Sequence, residues 1–335
     1  MSGGGTGGHI FPAIAVADEI KKRFPEAEFL FIGANGKMEM EKVPQAGYKI
    51  IGLNIAGFDR GNLLKNVGLP FKVVSSLAKA RKAIKDFKPD FAVGTGGFAS
   101  GPALFMASAL GVPIFVQEQN SLPGKTNTYL AKRAKAVFTA YPDMEKFFSG
   151  TKTYFLGNPI RKNIITNLIE SDVAKEKAGL DKIIEKDYQL IWQTGKTDYQ
   201  NILSETETKQ HRNVQILEFI KNMELAYSAA DVIVSRAGAI AISELAVAQK
   251  PVLLVPFPFA AEDHQTKNAL TLVEKNAARM VRDTEMKEKF WSTLMEICEN
   301  ENLRKEMSIN MEFFAKPDAA QEIVSEILTT LNIKS

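Results

Sequence analysis

His9 closes a run in which five of the six positions 3–8 are glycine, and Ile10-Phe11-Pro12-Ala13-Ile14-Ala15-Val16-Ala17 follows it as a helical pattern. Glycine loses the most backbone freedom on ordering, so such a run favours neither helix nor strand. It lets backbone N–H groups approach another group closely instead. The helix behind it points its first N–H groups, and the positive end of its dipole, at the same spot. An anion suits that place, with His9 beside it as a titratable neighbour; a tight turn with a capping histidine is the competing reading. A second run, Gly94-Thr95-Gly96-Gly97-Phe98-Ala99-Ser100-Gly101-Pro102, follows the apolar Phe91-Ala92-Val93. Two such loops on one sheet edge would supply the number of donors a diphosphate needs. Neither is the dinucleotide fingerprint, because no acidic residue ends the next strand in the right context.

Later in the chain, Ser235-Arg236-Ala237-Gly238-Ala239-Ile240-Ala241-Ile242-Ser243-Glu244 follows the strand-like Asp231-Val232-Ile233-Val234. A helix starting near Gly238 would offer its first amides to another phosphate. Glu244 would lie about two turns in, where a carboxylate accepts from a vicinal diol such as a ribose, or is simply a solvated helical glutamate. Gln265 and Asn268 are three apart and share a helix face that can hydrogen-bond sugar hydroxyls. Gln117-Glu118-Gln119-Asn120 ends a strand, where four polar residues suit a polyhydroxylated ligand or a plain strand exit. Arg161, after Gly157-Asn158-Pro159-Ile160, can clamp a phosphate with two parallel N–H bonds. The histidines are His9, His211 and His264, beside one cysteine, and no cluster has metal-ligand spacing, so no metal is expected.

The elements that must position these groups alternate along the chain. Strand patterns fall at 28–33, 48–55, 90–94, 112–117, 136–140 and 154–156, then at 189–193, 213–219, 231–235, 252–255 and 278–281. Helical patterns separate them, such as 71–87 with Val73, Leu77, Ala80, Ile84 and Phe87 on one stripe. The fold class is therefore α/β, as two doubly wound parallel-sheet domains facing across a cleft, with ligand at the carboxyl ends of the strands. Length supports two domains: 335 residues exceed one ordinary core. Gly157-Asn158-Pro159 is the expected hinge, and a last helix, about 319–331, can pack on either domain. Residues 1–162 carry 22 Lys and Arg against 12 Asp and Glu, the remainder 20 against 27. A basic first half beside an acidic second half fits an acidic partner for the first, or ordinary solvated lysine faces. The single Cys298 forms no disulfide within the chain, reads as buried filler, and fits a reducing compartment. The 27 residues 91–117 carry no charge, but their glycines and prolines divide them into strand, loop, short helix and strand rather than a membrane span. No signal peptide is expected, and neither is a nucleic-acid partner.

Taken in order, Gly4-Gly5-Thr6-Gly7-Gly8-His9, Gly94-Thr95-Gly96-Gly97-Phe98, Glu118-Gln119-Asn120, Gly157-Asn158-Pro159-Ile160-Arg161, Gly238 to Glu244 and His264-Gln265 to Asn268 resemble the glycosyltransferases of family 28 across nearly the whole chain. These are the inverting UDP-N-acetylglucosamine transferases of peptidoglycan synthesis. The resemblance implies the GT-B architecture of two Rossmann-like domains. It divides the chain into an acceptor and membrane-side domain, 1–162, a UDP-sugar domain, 163–316, and a C-terminal helix, about 317–335, that returns to the first. It implies transfer of N-acetylglucosamine from UDP onto undecaprenyl-pyrophosphoryl-N-acetylmuramyl-pentapeptide (lipid I), forming lipid II peripherally at the cytoplasmic membrane face. It gives Thr6, Gly7 and Gly8 to the donor diphosphate and makes His9 the base. Asn120 and Arg161 would contact the nucleotide-sugar and Ile220 the uracil. Ala239, Ile240, Ala241, Ile242 and Ser243 would supply backbone donors, Glu244 would hold the ribose, and Gln265 the transferred sugar. UDP-N-acetylglucosamine is a substrate in this scheme and no cofactor is required. The cell-wall and division machinery is an implied partner.

Two departures from the family pattern stand out. Members have a strand before the opening loop, whereas Met1-Ser2 abuts it here, so the first sheet is expected to lack its central strand. Members also carry a strand and a Gly-Gly-Ser-x-Gly-Ala loop where Ala178-Gly179-Leu180 runs into Asp181-Lys182-Ile183-Ile184-Glu185-Lys186. Leu63, Leu64, Val67, Leu69 and Phe71 among Lys65, Lys72, Lys79, Arg81 and Lys82 suit an anionic bilayer surface, or a buried loop before a surface helix. Other readings are a different GT-B UDP-sugar transferase or epimerase, and a catalytically silent scaffold if the missing loop is genuine.

Overall fold

The computed structural model describes residues 1–55, 69–178, 188–207 and 213–334. The chain runs β1 (Ser2–Gly3), α1 (Gly7–Arg23), β2 (Leu30–Ala34), α2 (Glu39–Gln45), β3 (Lys49–Leu53), α3 (Leu69–Phe87), β4 (Ala92–Gly96), α4 (Ser100–Ala109), β5 (Ile114–Glu118), α5 (Lys125–Ala131), β6 (Ala136–Thr139) and β7 (Thr153–Phe155). Among the described residues these strands form one parallel sheet in the order β3-β2-β1-β4-β5-β6-β7. Val93, Phe115, Val116, Val137 and Phe138 are fully buried, as expected where helices cover both faces of a parallel sheet. The strand order reverses between β1 and β4, and ligands of doubly wound sheets bind at that switch point, outside the carboxyl ends. Both glycine runs leave the sheet there, one from β1 and one from β4.

The expected loss of the central strand is corrected by β1. Ser2 pairs with Ile32 on one side and Gly94 on the other, and its Oγ donates to the Ile32 carbonyl at 2.8 Å. Two residues suffice because backbone pairing to both neighbours needs no side-chain pattern. The charge-free 91–117 stretch is β4, α4 and β5, and among the described residues no helix is long and apolar enough to cross a membrane.

The chain continues through α6 (Lys162–Thr166), α7 (Ser171–Lys177), β8 (Leu190–Gln193), α8 (Tyr199–Glu207), β9 (Val214–Leu217), α9 (Met223–Ala229), β10 (Ile233–Ser235), α10 (Ala239–Ala248), β11 (Val252–Leu254), α11 (His264–Val273), β12 (Arg279–Met280), α12 (Met286–Glu299), α13 (Glu301–Met311) and α14 (Ala319–Thr330). Strands β10-β11-β12 pair in parallel over a core of Leu253, Val281, Ile297, Leu303 and Met307. Strands β8 and β9 pair separately, and no described strand joins the two sheets. Leu190 and Trp192 of β8 are 48% and 40% exposed. Residues 179–187, where the family pattern has its Gly-Gly-Ser loop, lie outside the described residues, as does His211.

Helix α14 packs back on α1. Its Ile323, Val324, Ile327 and Leu328 join Val16, Ile20, Phe115 and Phe138 in one cluster, each buried aliphatic side chain contributing about 1.5–3 kcal/mol. Arg23 fastens the pair, donating to the Ser325 hydroxyl at 2.9 Å and the Gln321 carbonyl at 2.8 Å.

Candidate active site

His9 is the third residue of α1, whose N-cap Thr6 is extended and accepts from the Ile10 N–H at 3.2 Å through its carbonyl. The N–H groups of Gly7 and Gly8 precede any intrahelical acceptor and are free to meet a ligand. Glycines of the second run make room for the first. Gly96 and Gly97 have φ of +103° and +85°, and a Cβ on Gly96 would come within 2.9 Å of the His9 ring, while one on Gly97 would strike the Gly4 carbonyl. His9 Nδ1 lies 2.8 Å from the Thr95 carbonyl and 2.8 Å from Gln119 Oε1. A carbonyl only accepts, so Nδ1 carries the hydrogen, and the neutral ring keeps its lone pair on Nε2. The imidazole is held from behind with its basic nitrogen on the opposite edge.

The opening run is not purely an anion cradle. The Gly5 N–H donates to Glu39 Oε2 at 2.9 Å, and the Ala34 N–H to Glu39 Oε1 at 2.9 Å. Glu39 is fully buried, so a carboxylate already occupies the anion position nearest β1. That leaves Gly7 and Gly8 as the open donors. The sequence reading missed Glu39, whose signal is a glutamate opening the helix that follows β2 on the same sheet edge.

The polar edge 117–120 differs from expectation. Gln117, Glu118 and Gln119 are at most 1% exposed. Glu118 accepts from the Asn120 N–H and side chain at 3.0 and 3.2 Å, from the Gly124 N–H at 3.1 Å and from Asn127 Nδ2 at 2.8 Å. These residues build the loop and leave no face for a sugar, because buried polar groups must be satisfied internally. Asn120 alone stays half-buried at the edge. Its Oδ1 accepts from Asn268 Nδ2 at 3.2 Å, and Asn268 Oδ1 accepts from the Ser121 N–H at 2.9 Å. Asn268 is fully buried, so the expectation that it meets sugar hydroxyls is replaced by a seam joining β5's loop to α11.

Opposite, α10 starts from an extended Gly238, with Ala239, Ile240 and Ala241 half-buried and Ile242 buried. Ser243 Oγ donates to the Ala239 carbonyl at 3.0 Å. Glu244 is buried, and Arg161 grips it with two bonds, Nε to Oε1 at 2.7 Å and Nη2 to Oε2 at 2.9 Å. The Tyr227 hydroxyl donates to Oε2 at 3.3 Å. Burial, with the Glu244 charge behind it, holds the Tyr227 phenol well above its ordinary range, and the bond to Glu244 raises the Arg161 guanidinium further. The two groups assigned to ribose and phosphate thus hold each other. Ile220 donates its N–H to Gln193 Oε1 at 2.8 Å, and Gln265 Oε1 accepts from the Phe257 N–H at 2.9 Å. Glu262 and Asp263 both take left-handed backbone, φ +53° and +57°, immediately before α11. Two adjacent non-glycine residues in that region store strain of the kind found at ligand-binding turns.

The profile of the glycosyltransferase family 28 N-terminal domain matches residues 1–139, and that of its C-terminal domain matches residues 163–323. A Parabacteroides distasonis protein named UDP-N-acetylglucosamine--N-acetylmuramyl-(pentapeptide) pyrophosphoryl-undecaprenol N-acetylglucosamine transferase is 45% identical over 361 aligned positions, covering 100% of this chain and 98% of the relative. With 361 positions against 335 residues, at least 26 residues of the relative have no counterpart here. The crystal structure of Acinetobacter baumannii MurG superposes with a TM-score of 0.78 at 28% identity, covering 98% of each chain. A UDP-N-acetylglucosamine 2-epimerase, at 14% identity and a TM-score of 0.64 over 96% of this chain and 93% of its own, shares the fold alone.

Proposed function

Since the chain belongs to glycosyltransferase family 28, we propose that it transfers N-acetylglucosamine from UDP to undecaprenyl-pyrophosphoryl-N-acetylmuramyl-pentapeptide with inversion, forming lipid II. The observation that carries this reading is His9, anchored through Nδ1 at the switch point of the sheet and basic at Nε2. In the proposed step Nε2 takes the proton of an acceptor hydroxyl as that oxygen bonds to the anomeric carbon. The anomeric C–O bond breaks on the opposite face, and UDP leaves with the electron pair. A positioned base of this kind contributes 10²–10⁴-fold.

Charge that develops on UDP is met by the N–H groups of Gly7 and Gly8, by the first amides of α10 and by Arg161. In this assignment Thr6 lines the diphosphate, Asn120 the nucleotide-sugar, Ile220 the uracil and Gln265 the transferred sugar. Glu244 takes the ribose hydroxyls once Arg161 turns to phosphate. Residues 1–162 with α14 form the acceptor side and 163–316 the nucleotide-sugar side. The exposed Phe71 and Val74, 80% and 67% accessible beside Lys72 and Arg81, support peripheral contact with an anionic membrane surface. Leu63, Leu64, Lys65 and Val67 of that patch lie outside the described residues.

The test is transfer of labelled N-acetylglucosamine from UDP to lipid I by the 335-residue protein, with the lipid-linked disaccharide as the expected product. One observation favours a second reading. Among the described residues the β8-β9 pair is unjoined, which, with the 26 positions of the relative that have no counterpart here, fits a binding scaffold that holds no donor. Calorimetry with UDP-N-acetylglucosamine separates the two: heat of binding supports the transferase, and none supports the scaffold.

A further inference from the structure

Behind His9 runs a line of buried side chains that build the loop and that the assigned ligand contacts do not use. His9 Nδ1 faces Gln119 Oε1 at 2.8 Å. Gln119 Nε2 donates to Gln117 Oε1, and Gln117 Nε2 donates to Asn158 Oδ1 at 2.8 Å. Asn158 Nδ2 donates to Ser243 Oγ at 3.0 Å, and Ser243 donates to the Ala239 carbonyl at 3.0 Å. Gln117, Gln119 and Asn158 are at most 2% exposed. The line starts at the proposed base and ends inside the first turn of α10, the helix whose amides face the departing UDP in the proposed reaction.

The direction of every bond is forced by its two ends. The Ala239 carbonyl has no hydrogen to give, so Ser243 donates there and its oxygen accepts from Asn158. Asn158 Oδ1 then accepts from Gln117, Gln117 Oε1 from Gln119, and Gln119 Oε1 from the ring. Independently, the Thr95 carbonyl at the other end demands a hydrogen on Nδ1. Gln119 cannot be turned over, because its Nε2 also faces the Thr95 carbonyl at 2.7 Å; its two hydrogens serve that carbonyl and Gln117, whose backbone oxygen lies 3.0 Å away beside its Oε1. Both ends therefore specify one arrangement, with all dipoles aligned head to tail away from His9.

Resting on the reading of His9 as the base, we propose that Gln119, Gln117 and Asn158 form a polarised amide chain that fixes the Nδ1–H tautomer of His9 and stabilises the imidazolium formed in the reaction. Asn158 is on this account a positioning residue that acts on His9 without touching it. Aligned buried hydrogen bonds strengthen one another, so the ring nitrogen senses a partner three links away. The chain also links the ring to the seat of α10 through Ser243, so the polarisation it adds at Nδ1, beyond the hydrogen that Thr95 alone fixes there, depends on that link.

Nitrogen-15 NMR of histidine-labelled protein tests this without any need for turnover, and His9→Ala identifies the His9 signals among three histidines. The expected wild-type spectrum has a protonated Nδ1 and an unprotonated Nε2 for His9; a protonated Nε2 in the neutral ring overturns the proposal. Asn158→Leu, which cuts the chain, is expected to move the His9 Nδ1–H resonance upfield and lower kcat about 3- to 10-fold with the KM for UDP-N-acetylglucosamine unchanged. Asn158→Asp keeps the bond from Gln117 and restores the resonance. An unmoved resonance in folded Asn158→Leu and Gln119→Leu proteins overturns the chain. If neither variant folds, the wild-type tautomer and the Asn158→Asp spectrum decide. Full activity of His9→Ala would overturn the base reading instead, and leaves the tautomer measurement standing.

Discussion

The two walls of the cleft are prepared in opposite ways. On the side of the seven-stranded sheet, His9 is seated by Thr95 and Gln119 and the loop before it by Glu39, all of them protein groups that no ligand must displace. On the side of α10, the charged groups are spent on each other, Arg161 on Glu244 at 2.7 and 2.9 Å. Under the proposed reaction the first wall acts as it stands, whereas the second breaks a two-bond ion pair before it holds a nucleotide. That pair is half-open: the Arg161 side chain is 37% accessible and that of Glu244 4%. In the proposed assignment a phosphate draws the half-exposed guanidinium away while ribose hydroxyls take over the buried carboxylate, which is otherwise left unpaired.

The strongest way to break this contrast is His9→Ala. Removing the base from the prepared wall should lower kcat by 10²–10⁴-fold and leave the KM for UDP-N-acetylglucosamine nearly unchanged in steady-state kinetics. A rise in KM with kcat intact would mean that His9 binds rather than catalyses. Next in size is Glu244→Ala. Losing two bonds to a charged group, at about 1.5–3 kcal/mol each when fully desolvated, should weaken UDP binding by at least tenfold in calorimetry. If the ion pair were purely structural, the variant would lose stability but keep its UDP affinity. The smallest effect expected is from Glu39→Gln. An amide in that buried place turns an NH₂ toward Gly5 or Ala34, costing about 1–3 kcal/mol in denaturant unfolding. A loss of UDP affinity larger than the loss of stability would show that Glu39 governs the nucleotide directly.

Strands of both halves were readable because each is an apolar run ended by glycine, proline or a polar turn, and the two glycine runs were readable as strand exits. Strand β1 was not, since Ser2–Gly3 has no pattern to recognise and exists only through its neighbours. Within the site, residue types were visible and partners were not. Gln119 reaches His9 over 110 positions, Arg161 reaches Glu244 over 83, and Glu39 reaches Gly5 over 34. No local periodicity encodes such pairs; the strand order β2-β1-β4-β5 creates the first and last by placing distant turns on one edge, and the packing of α6 on α10 creates the second. Asn268 departs from expectation for the same reason, because sharing a helix face with Gln265 says nothing about the loop packed over that face.

Gly157 has a further consequence. With φ of +91° and no room for a Cβ beside Lys316, it marks where the chain leaving the large sheet passes the chain returning to it before α14. If the proposed halves move, two crossings in contact favour swinging about one line over twisting or sliding. Displacement in such a swing grows with distance from that line, which places Asn158, next to Gly157, where it is smallest. The link from Asn158 to Ser243 lies on the short end of this lever.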